Sequence, residues 1–268
     1  MSIFQQLLDV NTDDLREEDC LVQASWVFQG ASSIDCFDRI TCPPNRYAFY
    51  LTLTASGVGC CYSEQELSAQ PDPAWIGRDA RTITASSTAF RVSLLDAVFA
   101  NFRRTPDTRI FITGSPQEKS FQRAEIIAAE IGKVAGSANI SRPRVVMIGV
   151  VGKVMHAMRD RGMHVQGIDL SPTIIGNDSG GAAVLDGSYT AALIDRSDIA
   201  LVTGMTIANS TLDRIVELCG ASRVPIVMYA QTGSYFGPFY RDWGIHTVVS
   251  ESFPIYTLPG PSEVRIYR

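Results

Sequence analysis

The most constraining feature of this 268-residue chain is residues 144–172, RVVMIGVVGKVMHAMRDRGMHVQGIDLSP. A short apolar run leads into a glycine turn and then a segment with apolar residues at helical spacing. A second apolar run follows and ends in Asp169. Strand, glycine turn, helix, strand and acid form the first half of a dinucleotide- or adenosyl-binding unit. The stretch therefore predicts a helix-covered parallel sheet with a ligand at the carboxyl ends of its strands.

The remaining chain divides into two patterns. Residues 21–54 contain two runs rich in β-branched and aromatic residues, and residues 85–102 carry an apolar stripe at helical spacing. The short connections there predict a small antiparallel sheet with a helix, since a parallel crossover needs a longer connection. Further along, strand and helix patterns alternate. We therefore predict an α/β protein with a smaller N-terminal α+β domain (residues 1–106) and a C-terminal Rossmann-like parallel sheet (residues 107–268).

Composition excludes several classes of function. Apolar residues make up 46% of the chain, the net charge is −5 and the basic residues are scattered, so no basic groove for nucleic acid is expected. No apolar run reaches the roughly eighteen residues of a membrane span. Residues 1–19 are acidic and predict an amphipathic helix, not a signal peptide, so we expect a cytoplasmic protein. The expected partner is a small-molecule ligand, and both a monomer and a homo-oligomer remain open.

The cysteines and histidines do not form a metal-binding pattern. The six cysteines have no CxxC spacing, which favours free, mostly buried thiols over a zinc ribbon. None of the three histidines has a second histidine at the spacing expected of a metal site on a helix. No metal ligand is therefore predicted. The cysteines are Cys20, Cys36, Cys42, Cys60, Cys61 and Cys219.

The glycine turn and the acid that follows it form the first candidate site. Glycines at such a turn let backbone N–H groups approach a ribose or an anion closely, and an acid about twenty residues later can accept hydrogen bonds from both ribose hydroxyls. The alternatives are a tight turn without a ligand and an acid that caps its own strand end. The predicted contacts are Gly149, Val150, Gly152, Asp169, Leu170 and Ser171.

Two more loops follow predicted strands and should reach the same edge of the sheet. The first, residues 203–211, is rich in hydroxyl and amide groups, and Ser210 to Asp213 fits a capping box. The second, residues 231–238, adds glycines and an aromatic residue. Either loop could be purely structural, and residues 177–181 beyond them could form a lid or an ordinary connection. The predicted contacts are Thr203, Gly204, Asn209, Thr211, Thr232 and Gly233.

The residues around Asp169 resemble a known motif. VQGIDLS resembles the V-x-G-x-D-x-S motif of class I S-adenosylmethionine-dependent methyltransferases. The chain departs from that family upstream, where Val150 and Val151 stand in the place of small residues of a GxGxG turn. The resemblance implies an adenosyl ligand, and the departure affects the part of the turn that would hold its methionine end.

A second resemblance covers most of the chain, from about residue 22 to residue 249. The pattern Asp198, Thr203, Gly204, Asn209 and Thr211 resembles DUF364, a family named for heavy-metal chelation, while residues 49–65 and 86–102 resemble its companion module, DUF4213. The resemblance implies an enolase-N-like N-terminal domain, a Rossmann-like C-terminal domain and a cleft between them. Where many members have a Gly-Pro-Ser turn, this chain has Gln-Thr-Gly at residues 231–233.

Two hypotheses on function follow. The first is an enzyme, a transferase or lyase, that binds S-adenosylmethionine or a related adenosyl ligand. Its reaction would be methyl transfer, another transfer, or cyclisation of the aminobutanoate arm, and Glu64 and Tyr62 from the N-terminal domain are the candidate catalytic residues. The alternative is a non-catalytic protein that binds a metal chelate or small metabolite. Binding of NAD is a third possibility.

Overall fold

The computed structural model describes residues 2–32, 45–64, 68–102, 104–177, 181–252 and 260–268. Cys36, Cys42 and the centre of the 177–181 loop lie outside these residues, so their predicted roles stay predictions. No helix within the described residues has the length and apolar character needed to cross a membrane.

The N-terminal part is built on an antiparallel sheet. Within the described residues this sheet has three strands in the order β1 (Ala24–Ser32), β2 (Asn45–Leu53) and β3 (Val58–Ser63). Two short helices, α1 (Ile3–Leu8) and α2 (Glu17–Cys20), precede it, so the prediction of one helix over residues 1–19 is wrong. Helix α3 (Thr88–Phe99) packs on β3 and begins where the Ser87 side chain accepts a hydrogen bond from the backbone of Phe90.

The C-terminal part is built on a larger sheet, which has eight strands within the described residues. The strands are β4 (Thr108–Ile112), β5 (Arg144–Ile148), β6 (His164–Asp169), β7 (Leu185–Asp186), β8 (Ile199–Thr203), β9 (Ile226–Ala230), β10 (Thr247–Glu251) and β11 (Ser262–Tyr267). The helices are α4 (Pro116–Ser137), α5 (Gly152–Asp160), α6 (Thr190–Ile194), α7 (Met205–Ala208), α8 (Leu212–Ser222) and α9 (Gly237–Asp242).

The strand order locates the ligand-binding edge. The strands from β10 through β9, β8, β5 and β6 to β7 are neighbours in that order and pair in parallel. Counted along the chain, this is the 3-2-1-4-5-6 order of doubly wound sheets, in which ligands bind where the order reverses. That point lies between β5 and β8. β11 and β4 extend the sheet with antiparallel pairs, so the α/β fold is confirmed and its sheet is not wholly parallel.

The apolar core connects the two sheets. On one face of the larger sheet, α4 and α5 cover a core that includes Ile127 and Met147. The core on the other face is continuous with that of the N-terminal part, because Phe99 of α3 packs against Phe236 and Phe239 with ring centroids 5.3 and 4.7 Å apart. This core fixes β3 beside the carboxyl edge of the larger sheet. The division at residue 106 stays a prediction.

Candidate functional site

The glycine turn after β5 and the start of the loop after β8 are in direct contact. Gly149 has a φ of 83°, which favours glycine, and a Cβ atom added to it would lie 2.1 Å from Oγ1 of Thr203. The Thr203 hydroxyl donates a hydrogen bond to the carbonyl of Ile148. The first two predicted loops therefore meet at the point where the strand order reverses. The contact with Thr203 is enough to require glycine at position 149, whether or not a ligand binds there.

The third predicted loop lies next to the second and is held by the N-terminal sheet. A Cβ atom on Gly204 would lie 2.7 Å from the carbonyl oxygen of Thr232. The Thr232 hydroxyl accepts a hydrogen bond from the backbone N–H of Tyr62 at 3.0 Å, and the N–H of Gly233 donates to the carbonyl of Cys60 at 3.0 Å. Thr232 and Gly233 thus join β3 to the edge of the larger sheet.

Asp169 is bonded to the glycine turn itself. Its Oδ2 accepts a hydrogen bond from the backbone N–H of Val150 at 2.8 Å, and its Oδ1 accepts one from the N–H of Ser171 at 2.9 Å. Helix α5 begins directly after this turn, with Gly152 as its first residue and no side-chain cap from Val151. The carboxylate therefore faces the positive end of that helix dipole. Each oxygen retains acceptor capacity, because an ionised carboxylate offers about four lone-pair positions.

Glu64 reaches the same place from the other sheet. It follows β3 directly, is half-buried, and lies within electrostatic range of Ser171 and Asp169. Burial raises the pKa of Glu64 above its usual value, the Ser171 hydrogen bond lowers it, and the nearby charge of Asp169 raises it. Glu64 at the end of one sheet and Asp169 at the end of a strand of the other therefore lie within electrostatic range of each other.

Tyr62 and Leu170 border this acidic pair. The hydroxyl of Tyr62 donates a hydrogen bond to the side-chain oxygen of Gln231 at 3.3 Å, and its buried ring packs edge-on against Phe49 with centroids 4.6 Å apart. Leu170 is 50% exposed, beside the buried Ser171. Tyr62 accordingly lies between Glu64 and the loop after β9.

Asn209 and Thr211 lie at the start of α8. The side-chain oxygen of Asn209 accepts hydrogen bonds from the Thr211 hydroxyl at 2.6 Å and from its backbone N–H at 3.3 Å. The predicted capping box from Ser210 is wrong: Ser210 has a φ of 60°, and the cap residue of α8 is Thr211 without a side-chain cap bond. Among the hydrogen bonds of the described residues, none joins Asn209 or Thr211 to Asp169 or Glu64.

A buried polar network beside the site was missed from the sequence. Arg123 of α4 forms a two-pronged ion pair with Glu251, which closes β10 and is fully buried. Gln231 donates to the same carboxylate at 2.9 Å, and the Ser262 hydroxyl also donates to it. Burial acts to raise the pKa of Glu251, but the hydrogen bonds and charge of Arg123, together with the bonds from Ser262 and Gln231, outweigh it and the pKa is lowered. Arg123 and Glu251 are 128 residues apart, so no local pattern could pair them.

The described residues do not fit a heavy-metal site. Among them, no group of three or more histidine, cysteine, aspartate or glutamate side chains is placed to hold a metal ion. The cysteines that the structure describes are buried free thiols, and burial raises the pKa of Cys219 to about 12 and that of Cys60 well above its usual value. Thiols of this kind are poor metal ligands, because the thiolate is the binding form.

Comparisons with known proteins identify a related family for the Rossmann-like part. The profile of DUF364, described as "Putative heavy-metal chelation", matches residues 138–248. No curated protein sequence matches the chain. The match does not reach the N-terminal part, so the resemblance to DUF4213 stays a prediction. The resemblance to the methyltransferases also stays a prediction, because the matching family is a different one.

Two solved structures share the fold over nearly the whole chain. A DUF364 protein of unknown function from Desulfitobacterium hafniense is 12% identical with a TM-score of 0.57, and the alignment covers 98% of this chain and 97% of that one. A second, from Pyrococcus horikoshii, is 12% identical with a TM-score of 0.50 and the same coverage. At 12% identity these two comparisons show a shared fold and nothing about function.

Proposed function

We propose that the crevice between β5 and β8 binds S-adenosylmethionine or a closely related adenosyl cation, and that the protein uses it on a small molecule. The observation that carries the proposal is the Asp169 carboxylate, which the N–H of Val150 holds at the glycine turn, with Glu64 of the other sheet within electrostatic range of it. Asp169 ends the second strand of the doubly wound order, where an acid accepts hydrogen bonds from ribose hydroxyls.

The charges at the turn favour a cation over a dinucleotide. One N–H group of the turn before α5 is not available to a pyrophosphate, because the N–H of Val150 already donates to Asp169. A unit charge about 5 Å from one carboxylate interacts with it by about 3 kcal/mol at an effective dielectric constant of about 20, and by less where solvent screens it. This energy favours a sulfonium or ammonium group and opposes a phosphate, which argues against NAD.

In a transfer or ring-closure reaction, Glu64 and Asp169 would have different roles. When bound, S-adenosylmethionine supplies a carbon whose bond to sulfur breaks as a nucleophile adds, with the electron pair remaining on sulfur. Glu64 would take up the proton released by an amine nucleophile, a role that suits a carboxylate with a raised pKa. Asp169 would hold the ribose. The mass of the product distinguishes transfer from cyclisation of the aminobutanoate arm.

Titration calorimetry with a charged and a neutral ligand tests the proposal. The wild-type protein should bind S-adenosylmethionine about tenfold or more tightly than S-adenosylhomocysteine, which lacks the positive sulfur. Glu64→Gln should remove most of that preference. Glu217→Gln is the matched control, because Glu217 is an exposed side chain on α8. Absence of binding at millimolar ligand, or equal affinity for the two ligands, would refute the proposal.

The second candidate function is non-catalytic binding of a metal chelate, which the DUF364 match favours by its description. A chelate that supplies its own donor atoms would need no cluster of protein ligands. It predicts that metal co-purifies in stoichiometric amount with the native protein. Elemental analysis without detectable metal would reject this candidate and leave the first in place.

A further inference from the structure

The N-terminal sheet presents an aromatic face on the side opposite α3. In the register of the strands, Phe28 lies opposite Phe49, which lies opposite Tyr62. Side chains at paired positions project from the same face, so these three aromatic residues form one row across the sheet. The other face carries buried residues such as Tyr50, which packs against Phe90 of α3.

This row becomes more buried as it approaches the acidic pair. Phe28 is 53% exposed on the outer strand, Phe49 is partly buried, and Tyr62 is 7% exposed on β3. Trp26, two residues before Phe28 on the same strand and face, is 39% exposed. Glu64 follows Tyr62 by two residues, so it lies near the buried end of the row, where Met205 also packs.

Aromatic faces beside carboxylates are complementary to a particular chemical class. The negative face of an aromatic ring attracts a cation, and its surface also packs against apolar groups. Glu64 and Asp169 add a second attraction for positive charge at the inner end of the row. A ligand with an ammonium group and an apolar or aromatic body satisfies both parts. A carboxylate or phosphate ligand satisfies neither.

We propose that this aromatic row and Glu64 bind a small primary amine with an apolar or aromatic body, the nucleophile for the adenosyl ligand. This inference rests on the proposed function. In the step it describes, the bound ammonium group first gives a proton to the Glu64 carboxylate, which frees a lone pair on nitrogen. That lone pair then forms the new bond to carbon as the carbon–sulfur bond breaks with its electrons on sulfur.

Tryptophan fluorescence of the full-length chain gives a test that is independent of activity. The probe is 2-phenylethylammonium, and 2-phenylethanol is its uncharged counterpart. The ammonium should change the emission of Trp26, and Trp26→Phe should abolish that change, because Trp75 is buried and Trp243 packs against Tyr240 in a different core cluster. Phe28→Ala should weaken the apparent affinity by about 2- to 5-fold. Phe111→Ala, at a 66% exposed position on β4, should leave it unchanged.

Three results would overturn the inference. The first is no change in emission at millimolar 2-phenylethylammonium, and the second is equal affinity for 2-phenylethanol. The third is self-association of the chain, detected by light scattering, that covers Trp26. The adenosyl titration separates this inference from the proposed function. If S-adenosylmethionine binds but the amine leaves the fluorescence unchanged, only the proposal of an amine site is rejected. An amine response that Phe28→Ala weakens, without adenosyl binding, rejects the proposed function and retains the amine site.

Discussion

Asp96 of α3 is a buried carboxylate that connects the two sheets. Its side chain accepts hydrogen bonds from the backbone N–H groups of Cys60 at 2.9 Å and Tyr235 at 2.8 Å. Burial raises the pKa of Asp96 from 3.8 to about 7, although these N–H groups and the charge of Arg265 oppose the rise. The group that fixes β3 against the loop after β9 therefore titrates near neutral pH.

The sign of the effect on stability follows from proton binding. Between about pH 4 and pH 7 the folded protein holds a proton on Asp96 that the unfolded chain has released, so the free energy of unfolding falls as the pH rises through this window. A shift of one pKa unit corresponds to about 1.4 kcal/mol, so the contribution lost by pH 7 is on the order of 4 kcal/mol. Above the folded pKa the contribution no longer changes.

Urea denaturation of the wild type and Asp96→Asn across this pH window measures the contribution. The amide cannot ionise, so the stability of the wild type relative to the variant should fall by about 3 kcal/mol between pH 4.5 and 7.5. Asp14→Asn, at an exposed position on the N-terminal segment, is the control. A wild-type to variant difference that is constant over this range would refute the reasoning.

Two further predictions concern packing and buried charge. Gly149→Ala places a methyl group against the Thr203 hydroxyl in a left-handed backbone conformation, so we expect a loss of about 2–4 kcal/mol in the free energy of unfolding, measured by heat or urea. Adding Thr203→Ala removes the clashing oxygen and should recover part of this loss, and full stability of the single variant would contradict the packing. Arg123→Met leaves the charge of Glu251 buried without its main partner and should lower the free energy of unfolding by about 3–5 kcal/mol. The double variant Arg123→Met with Glu251→Leu should recover much of this loss, and equal stability of the single and double variants would contradict the reasoning.

Short-range signals in the sequence predicted the elements well. The strands predicted before the loops at residues 203–211 and 231–238 are confirmed as β8 and β9. The sequence Ser115-Pro116-Gln117-Glu118 likewise predicts a capping box, and the structure has it at the start of α4. Such signals depend on residues a few positions apart, which the local backbone brings together. The capping box predicted from Ser210 to Asp213 is wrong, because Ser210 takes a positive φ in the turn between α7 and α8.

Long-range relations were predictable only in part. The alternation of strands and helices implied that the loops after β5 and β8 share one edge, and their direct contact agrees with that inference. Nothing local indicated that β11 would return antiparallel beside β10, or that Glu251 would pair with Arg123. Those relations depend on how elements distant in sequence pack, which hydrophobic periodicity does not specify.

Asp169 illustrates why the two interpretations of a strand-end acid need not exclude each other. Its carboxylate caps the glycine turn through Val150 and its own strand end through Ser171, as the structural alternative required. These bonds also fix its orientation, and the remaining lone pairs can accept ribose hydroxyls. Substitution of Asp169 would therefore disturb the turn and any ligand together. Glu64 accepts no hydrogen bond from the glycine turn, so its substitution reports more directly on the charge of the bound molecule.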